Sequence, residues 1–520
     1  MALFATCGSC RGSDFSDRVV AETPHPGVYI EEIGAKPIES VATSTAAFIG
    51  ETERGSTKPR LITSYQEYKR WFGGVFGDTK FLPYAVSGFF DNGGDSMYVC
   101  RVANDKATPA EVVVGNFTVR AVGPGSWGTR VYVRITDSST QVAGADGKPA
   151  PMGFQVLLGY YTNKPTPTDL AWFADPSAAS PPPVCEIFDD LESDETSPNY
   201  WFTRLNEKSA LAELVRNDGA PAAELPVKGP VLQLDSKGTD GDGVSDADYA
   251  AALATLERNA YDEVALVYAP GVSVSVNREV IQHCERQRYR FAVVDPDESV
   301  DVSSFQPRIQ METGYAALYY PWIAVSDPLS GARRIVPPGG HVLGVYARTD
   351  SGRGVFKAPA NEALRGVIGL TVDISNEMQN SLNPRGINAI RQFPGRGTLV
   401  WGARTLSSDD QWKYVSVRRL FIFLEHSIYK GTQWVVFEPN NESLWARVSD
   451  AIRLFLRAQW RIGALSGRTE DEAFFVRCDR TTMTQDDIVN GRLICEVGVA
   501  PVRPAEFVIF RICQNTADAA

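Results

Sequence analysis

The chain has 520 residues, a formal net charge of −12 and 43% hydrophobic residues, enough to bury several cores in about two to four domains. That acidic balance argues against sequence-independent binding to nucleic acid or to an anionic membrane as the main task. No apolar stretch approaches the roughly 20 residues of a bilayer span, since LFIFLEHSI at 420–428 is cut by Glu425 and His426.

Residues 1–26 mix Gly, Ser, Asp and Pro without a period and read as a flexible leader. They have neither the basic region nor the apolar length of a secretory signal or lipoprotein anchor. Val28–Ile33 follows as a short β-rich segment between Gly27 and Gly34, detachable in character. SVATSTAAFIGETERG and LITSYQEYKRWFGG predict a strand, a loop and a short helix capped by Gly73, a compact N-terminal element that runs on to SMYVCRV at 96–102. Composition then shifts. Residues 103–235 alternate Pro- and Ser-rich pieces such as TNKPTPTDL and DPSAASPPPV with strand-like runs VYVRIT and FQVLLGYY, the pattern of an inserted, outward-facing β-rich domain.

From Ser245 helix and strand alternate. SDADYAAALATLERN predicts a helix with Ser245 as cap and Asp248 in its first turn, followed by the strand DEVALVYAP, the helix NREVIQHCERQR and the strand RFAVVDP. This is a βαβ-like core with parallel strands, continued through 341–392 and 411–430, with VSVRRLFIFLEHSIYKG as a helix closed by Gly431. Residues 434–512 predict a strand at WVVFEP, an arginine-striped helix near 443–465, two further strands, and a last apolar strand behind Pro501 and Pro504. In Glu506–Ile512, Phe507 and Ile509 face one side while Val508, Phe510 and Ile512 face the other. Both faces want burial, so the strand needs a partner, within the chain or outside it.

Catalytic and metal chemistry find little support. Cys7 and Cys10 form a lone CxxC, whereas a zinc site wants a second pair or a histidine, and Cys100, Cys284, Cys478, Cys495 and Cys513 sit in apolar or strand-like contexts. GTDGDGVSD at 238–246 lacks the first and twelfth carboxylates of a calcium loop and reads as a capping loop. His25, His283, His341 and His426 accompany neither a GxSxG elbow nor a Walker-type loop, and adjacent His283 and Cys284 diverge by about 100 degrees on a helix. The Gly-rich SGRGVFKAPAN and FPGRGTLVWGAR read as tight loops near subunit contacts. No catalytic residue, cofactor or metal is assigned, and no enzyme activity is expected.

Several segments in fixed order carry a resemblance: PGVYIEEI at 26–33, GTDGDG at 238–243, PPGGHVLGVYARTDSGRGVFKAPAN at 337–361, LNPRGINAIRQFPGRGTLVWGARTL at 382–406, and the region after Trp434. Over roughly 24–105 and 235–514 the chain resembles the contractile tail sheath proteins of phage-like injection systems and myophage tails. The resemblance implies an α/β fold (mixed α+β) in six parts. A leader and N-terminal donor arm span 1–34, the N-terminal part of the core 35–105, and the inserted β-rich outer domain 106–234. The α/β core spans 235–410, a tube-facing and strand-accepting domain 411–505, and a C-terminal donor arm 506–520.

It further implies hexameric discs stacked helically around an inner tube protein, with baseplate and terminator or cap proteins as further partners. No nucleic acid and no membrane insertion are expected. Assembly would occur in the bacterial cytoplasm, with possible release of the particle, and contraction of the lattice would drive the tube through a target envelope. Strand exchange would link subunits. Its donors would be Val28, Tyr29, Ile30 and Ile33 with Phe507, Val508, Ile509, Phe510 and Ile512. Its acceptors would be Phe474, Phe475 and Val476 in Phe474–Cys478, and Leu493, Ile494 and Val497 in Leu493–Val499. An ordinary intramolecular edge strand is the alternative for the last segment. Arg447, Asp450, Arg453, Arg457 and Arg461 recur every three or four residues opposite the apolar face of their helix, and would meet an acidic band on the tube. A solvated face, with Asp450 pairing along the helix, is the alternative there. A non-contractile tube or shell protein, or an α/β hydrolase, remain the competing functions.

Overall fold

The computed structural model describes residues 37–143, 148–219, 221 and 224–509, so the expected strand Val28–Ile33 and the Cys7/Cys10 pair lie outside the described residues. At the centre is a nine-stranded sheet. Six of its strands run parallel, in the spatial order Ile387–Phe393, Ala316–Tyr320, Phe291–Val294, Leu266–Tyr268, Ala46–Gly50 and Met97–Arg101. Antiparallel strands close both edges, Arg60–Ile62 on one side and Gly397–Val400 with Glu362–Ala363 on the other. The strand Ala46–Gly50 is buried at all five positions and alternates between two cores, Ala46 and Phe48 entering one, Ala47 and Ile49 the other. Apolar runs without polar alternation demand this two-sided cover.

Helices supply it. Leu82–Asp91 and Gly339–Arg353 cover the first face, Asp246–Thr255 and Val274–Gln287 the second. The glycines of PPGGHVLG let the first pair touch. A Cβ on Gly340 would lie 2.5 Å from the Ala85 backbone, and one on Gly344 2.4 Å from the Phe89 carbonyl oxygen. Ser64 caps Tyr65–Phe72, which ends on Gly73 at φ 88° as the sequence predicts, and Ser245, the predicted cap, forms a capping box with Asp248. In the loop before that box, Asp240 accepts from the Ser126 N–H at 2.9 Å and Asp242 pairs with Lys106 at 2.6 Å, so these carboxylates brace neighbouring chain. SGRG forms the end of the helix Gly339–Arg353, not a loop, and PGRG turns the hairpin between Ile387–Phe393 and Gly397–Val400.

Between Met97–Arg101 and Asp246–Thr255 the chain leaves the core and returns through two antiparallel segments, Thr108 facing Thr239 and Glu111 facing Ser236. The excursion forms a four-stranded sheet (Val184–Leu191, Phe154–Tyr160, Val131–Asp137, Leu232–Gln233) and a three-stranded sheet (Ala212–Arg216, Phe117–Ala121, Glu111–Val114). Every strand pair within them is antiparallel, and they share a core containing Phe117, Trp127, Tyr160 and Trp201.

A buried ion pair ties three distant parts of the sequence together. Arg419, in the helix Val415–Gly431, donates to both oxygens of Asp350 in the helix Gly339–Arg353, at 2.9 and 2.5 Å, and to the Thr43 carbonyl at 2.9 Å. Thr43 Oγ1 donates to Asp350 at 2.7 Å, and both charged side chains are under 5% exposed. The guanidinium also lies 4.8 Å from the Tyr346 ring centre. Asp350→Ala would strand the Arg419 cation and is expected to cost about 3–5 kcal/mol in chemical denaturation. A loss within about 0.5 kcal/mol, the range of an ordinary surface substitution, would contradict a dry pair.

The buried histidines set an acid limit. Burial, joined at His283 by the Arg290 guanidinium 2.6 Å away, pushes His283 and His341 down to about 4 from the usual 6.5. Their stabilising neutrality is complete above pH 6.5 and is lost as pH falls through about 4. Asp295 acts oppositely: burial raises it to about 7, against hydrogen bonds from Tyr268 and Gly339, so it gains protons in the fold first. The urea midpoint should therefore fall between pH 6.5 and about 4, more steeply in Asp295→Asn. A flat profile would refute neutral buried histidines.

Candidate functional site

The helix Glu442–Arg461 starts at Asn441, whose side chain accepts the Leu444 N–H at 3.0 Å. Its apolar side, Leu444, Trp445, Val448, Ile452, Phe455 and Leu456, is buried against Leu420, Phe423 and Leu424 of the preceding helix and against Phe474 and Val476. Phe423 and Phe455 meet with ring centres 5.9 Å apart. WVVFEP is not a strand. Gln433–Val435 is a 3-10 turn that joins the two helices, and the following Phe437 has φ 70° and a fully exposed ring. A strand there would need an edge to pair with, whereas the Val435 N–H donates to the Thr432 carbonyl and the Glu438 N–H to the Val435 carbonyl, closing the turn locally.

Phe474–Arg477 and Glu496–Val499 form a two-stranded antiparallel sheet, with Phe474 opposite Val499, Val476 opposite Val497 and Arg477 opposite Glu496. Phe474 and Val476 point into the core, while Phe475 and Arg477 point out. The second acceptor is shorter than expected. Leu493 and Ile494 precede the strand, Leu493 packing on the core and the Ile494 carbonyl accepting from Thr482 Oγ1 at 2.8 Å. Among the described residues no third strand pairs with this sheet. An isolated pair of strands is marginal in water, so this one depends on the helix behind it and exposes both outer edges.

The bond from the Ala500 N–H to the Ala473 carbonyl fixes which groups face outwards. Hydrogen-bonded pairs alternate, so 475 with 498 and 477 with 496 are bonded, and the peptide groups of Phe474 and Val476 face the open edge. There Arg453 donates to the Val476 carbonyl at 3.1 Å. The arginine stripe and the acceptor strand, separate in the sequence reading, meet at this bond.

The stripe itself is largely engaged within the chain. Arg457 grips Glu470 with two bonds, at 2.6 and 3.0 Å, and Arg447 pairs with Glu438 at 3.1 Å and lies over the Trp434 ring. The Arg457 hydrogen bond, with the charge of Arg457, Arg453 and Arg461, holds the Glu470 carboxyl below its usual range. Asp450, Arg453 and Arg461 are exposed, and Leu454 stands half-exposed among them.

Of the expected last strand, the described residues 506–509 join no ladder. After Glu496–Val499 the chain pairs briefly, Ser466 N–H to the Ala500 carbonyl at 2.8 Å and Val502 N–H to the Ala464 carbonyl at 3.3 Å, before Pro504 ends the pairing. Glu506 is then clasped by the core: Arg404 donates to its two oxygens at 2.8 and 2.6 Å, Asn383 at 2.8 Å and Tyr414 at 3.1 Å. Burial opposes the charge on Glu506, but these donors outweigh it and hold the carboxyl below its usual range. A groove of about 750 Å³ flanks the clasp, bordered by Phe356, Trp401, Tyr414, Val502 and Phe507. Beyond it Phe507, Val508 and Ile509 are 73%, 67% and 82% exposed, and Phe510 and Ile512 lie outside the described residues. Sequence reasoning missed the partners Glu470, Asn383, Arg404 and Tyr414. The available signal was Glu506 itself, a single acid heading an apolar strand.

The stretch 242–406 matches the family model of the phage tail sheath protein central domain, and 407–515 that of the phage tail sheath C-terminal domain, together more than half of the chain. A prophage major tail sheath protein of Pseudomonas aeruginosa is 24% identical over 254 residues. That match spans 48% of this chain and 64% of the relative, less than two thirds of its length. Among solved structures, the helical sheath of the anti-feeding prophage in its contracted state aligns with TM-score 0.57 and 26% identity, covering 95% of this chain and 100% of that one. The contracted PVC sheath complex of an extracellular contractile injection system aligns with TM-score 0.58 and 26% identity, over 95% and 98%. The order of elements, the helix-backed hairpin and these matches lead to one family: the chain belongs to the phage tail sheath proteins.

Proposed function

We propose that the chain is the subunit of a contractile sheath, built as hexameric discs around an inner tube and linked by exchanged strands. The observation that carries this reading is the two-stranded sheet with open outer edges, next to an arm whose Phe507, Val508 and Ile509 are exposed. A donated strand brings two kinds of stabilisation: about 0.5–1.5 kcal/mol net per backbone hydrogen bond, and burial of its apolar side chains. In this reading 506–520 and 1–34 are arms reaching neighbouring subunits, 411–505 accepts them and faces the tube, and 106–234 stands outward. The clasp on Glu506 gives the C-terminal arm a fixed point of departure on its own core. Baseplate and terminator or cap proteins would bound the cylinder, which assembles in the bacterial cytoplasm. The work is mechanical, with energy stored in the extended lattice.

Coexpression with the neighbouring tail genes, followed by negative-stain microscopy, tests the whole reading. Striated cylinders in long-thin and short-wide forms are expected. A single lattice form would make the chain a static shell instead. Deleting 507–520 while keeping Glu506, so that Arg404 retains its partner, should leave a folded subunit that forms no sheath. Normal cylinders from that truncation would remove the donated strand. Arg453→Glu combined with Arg461→Glu, which leaves the Arg457 pair with Glu470 intact, should weaken assembly around the tube by about tenfold at low salt, and less at high salt. Assembly indifferent to both the substitutions and salt would return the stripe to a solvated face.

A further inference from the structure

The strands Phe474–Arg477 and Glu496–Val499 each lead directly to a cysteine. Arg477 stands opposite Glu496, so the same register places Cys478 opposite Cys495. The alternation fixed by the Ala500 to Ala473 bond makes 474 with 499, 476 with 497 and 478 with 495 the pairs without mutual backbone bonds. In such pairs the Cα atoms lie about 4.5 Å apart and the side chains come closest. That separation falls inside the range of about 4.4–6.8 Å that a disulfide spans. Phe474, Val476 and Cys478 are all buried, so Cys478 shares the inward face of its strand, and Cys495 packs on the same core. Both thiols are free and are hydrogen-bonded to each other.

The chain between them is held closed by other means. Thr484 and Asp487 cap the short helix Gln485–Val489, Arg492 bonds Asp487 at 2.8 Å and Asp486 at 3.0 Å, and Thr482 reaches the Ile494 carbonyl. The two sulfurs are thus presented to each other by the fold itself.

We propose that Cys478 and Cys495 form a redox pair that closes into a disulfide across the end of this hairpin, with a low-molecular-weight disulfide as oxidant. Cys495, the less buried, loses its proton and attacks one sulfur of glutathione disulfide, releasing one glutathione thiolate. The Cys478 thiolate then attacks the Cys495 sulfur and displaces the second. The pair gives up two electrons and two protons, and the oxidant becomes two molecules of glutathione. Burial, joined by the neighbouring Cys478 sulfur, pushes the Cys495 thiol up to about 12, and burial raises Cys478 against the hydrogen bond from Cys495, so closure is slow near neutrality and quickens with pH. The bond lies between the two strands and leaves both outer edges open, so it staples the hairpin without blocking strand addition. It is a property of the single chain, and its test is independent of whether a sheath forms.

The test is peptide mapping of the full-length chain after incubation with glutathione disulfide at about pH 8.5, near the ordinary thiol pKa. Expected is one linked peptide pair joining Cys478 to Cys495, lighter by two hydrogens than the free thiols. A higher thermal midpoint of the oxidised over the reduced chain should accompany it. In Cys478→Ser, Cys495 should stop at a glutathione adduct and the thermal difference should vanish; Cys495→Ser serves if that variant folds poorly. A lasting glutathione adduct on Cys495 of the unaltered chain, or two thiols still open to alkylation, would overturn the proposal.

Discussion

The dry contact of Asp350 with Arg419 is the constraint on which the rest of the molecule leans. It is made between a core helix and the helix that carries the C-terminal region, and Thr43, only a few residues before the strand Ala46–Gly50, joins it. A charge pair taken out of water stabilises little by itself but penalises separation heavily. Here it therefore acts on geometry. The start of the described chain, the core and the base of the C-terminal helices are held in one arrangement, and a pull on one is passed to the others.

Past that joint the molecule changes character. The central sheet is covered on both faces, and antiparallel strands flank it, so each of its six parallel strands is paired on both sides within the single chain. The C-terminal hairpin is covered on one face only. Of its outward peptide groups, the Val476 carbonyl is met by the Arg453 guanidinium. Strand addition there would displace one side-chain hydrogen bond in exchange for a ladder, a modest cost for a larger gain. Among the described residues beyond Glu506, Phe507, Val508 and Ile509 are exposed apolar side chains that join no sheet.

The arginines on the helix Glu442–Arg461 show why a charge pattern alone does not define an interface. Arg457 is neutralised by Glu470 and Arg447 by Glu438, both from chain segments adjacent to the helix. What is left for a partner is a smaller patch around Arg453, Leu454 and Arg461, mixed in character. Of these, Arg453 sits at the open edge of the hairpin, donating to the Val476 carbonyl.

Much of the architecture was legible in the sequence because it rests on local physics. Uninterrupted apolar runs such as AAFIG and FAVV specify strands buried on both faces, Ser245 with Asp248 specifies a helix start, and the 3.6-residue period specifies the face of Glu442–Arg461 that is buried. The apolar character of the last segment on both faces was also visible, and its described residues Phe507, Val508 and Ile509 are exposed. Contacts between residues far apart in the chain were not. WVVFEP has strand composition yet turns between two helices, its backbone bonds closing locally. Arg404 with Glu506, Arg457 with Glu470 and Cys478 with Cys495 depend on which surfaces the folded chain brings together, and a one-dimensional pattern carries periodicity but not proximity.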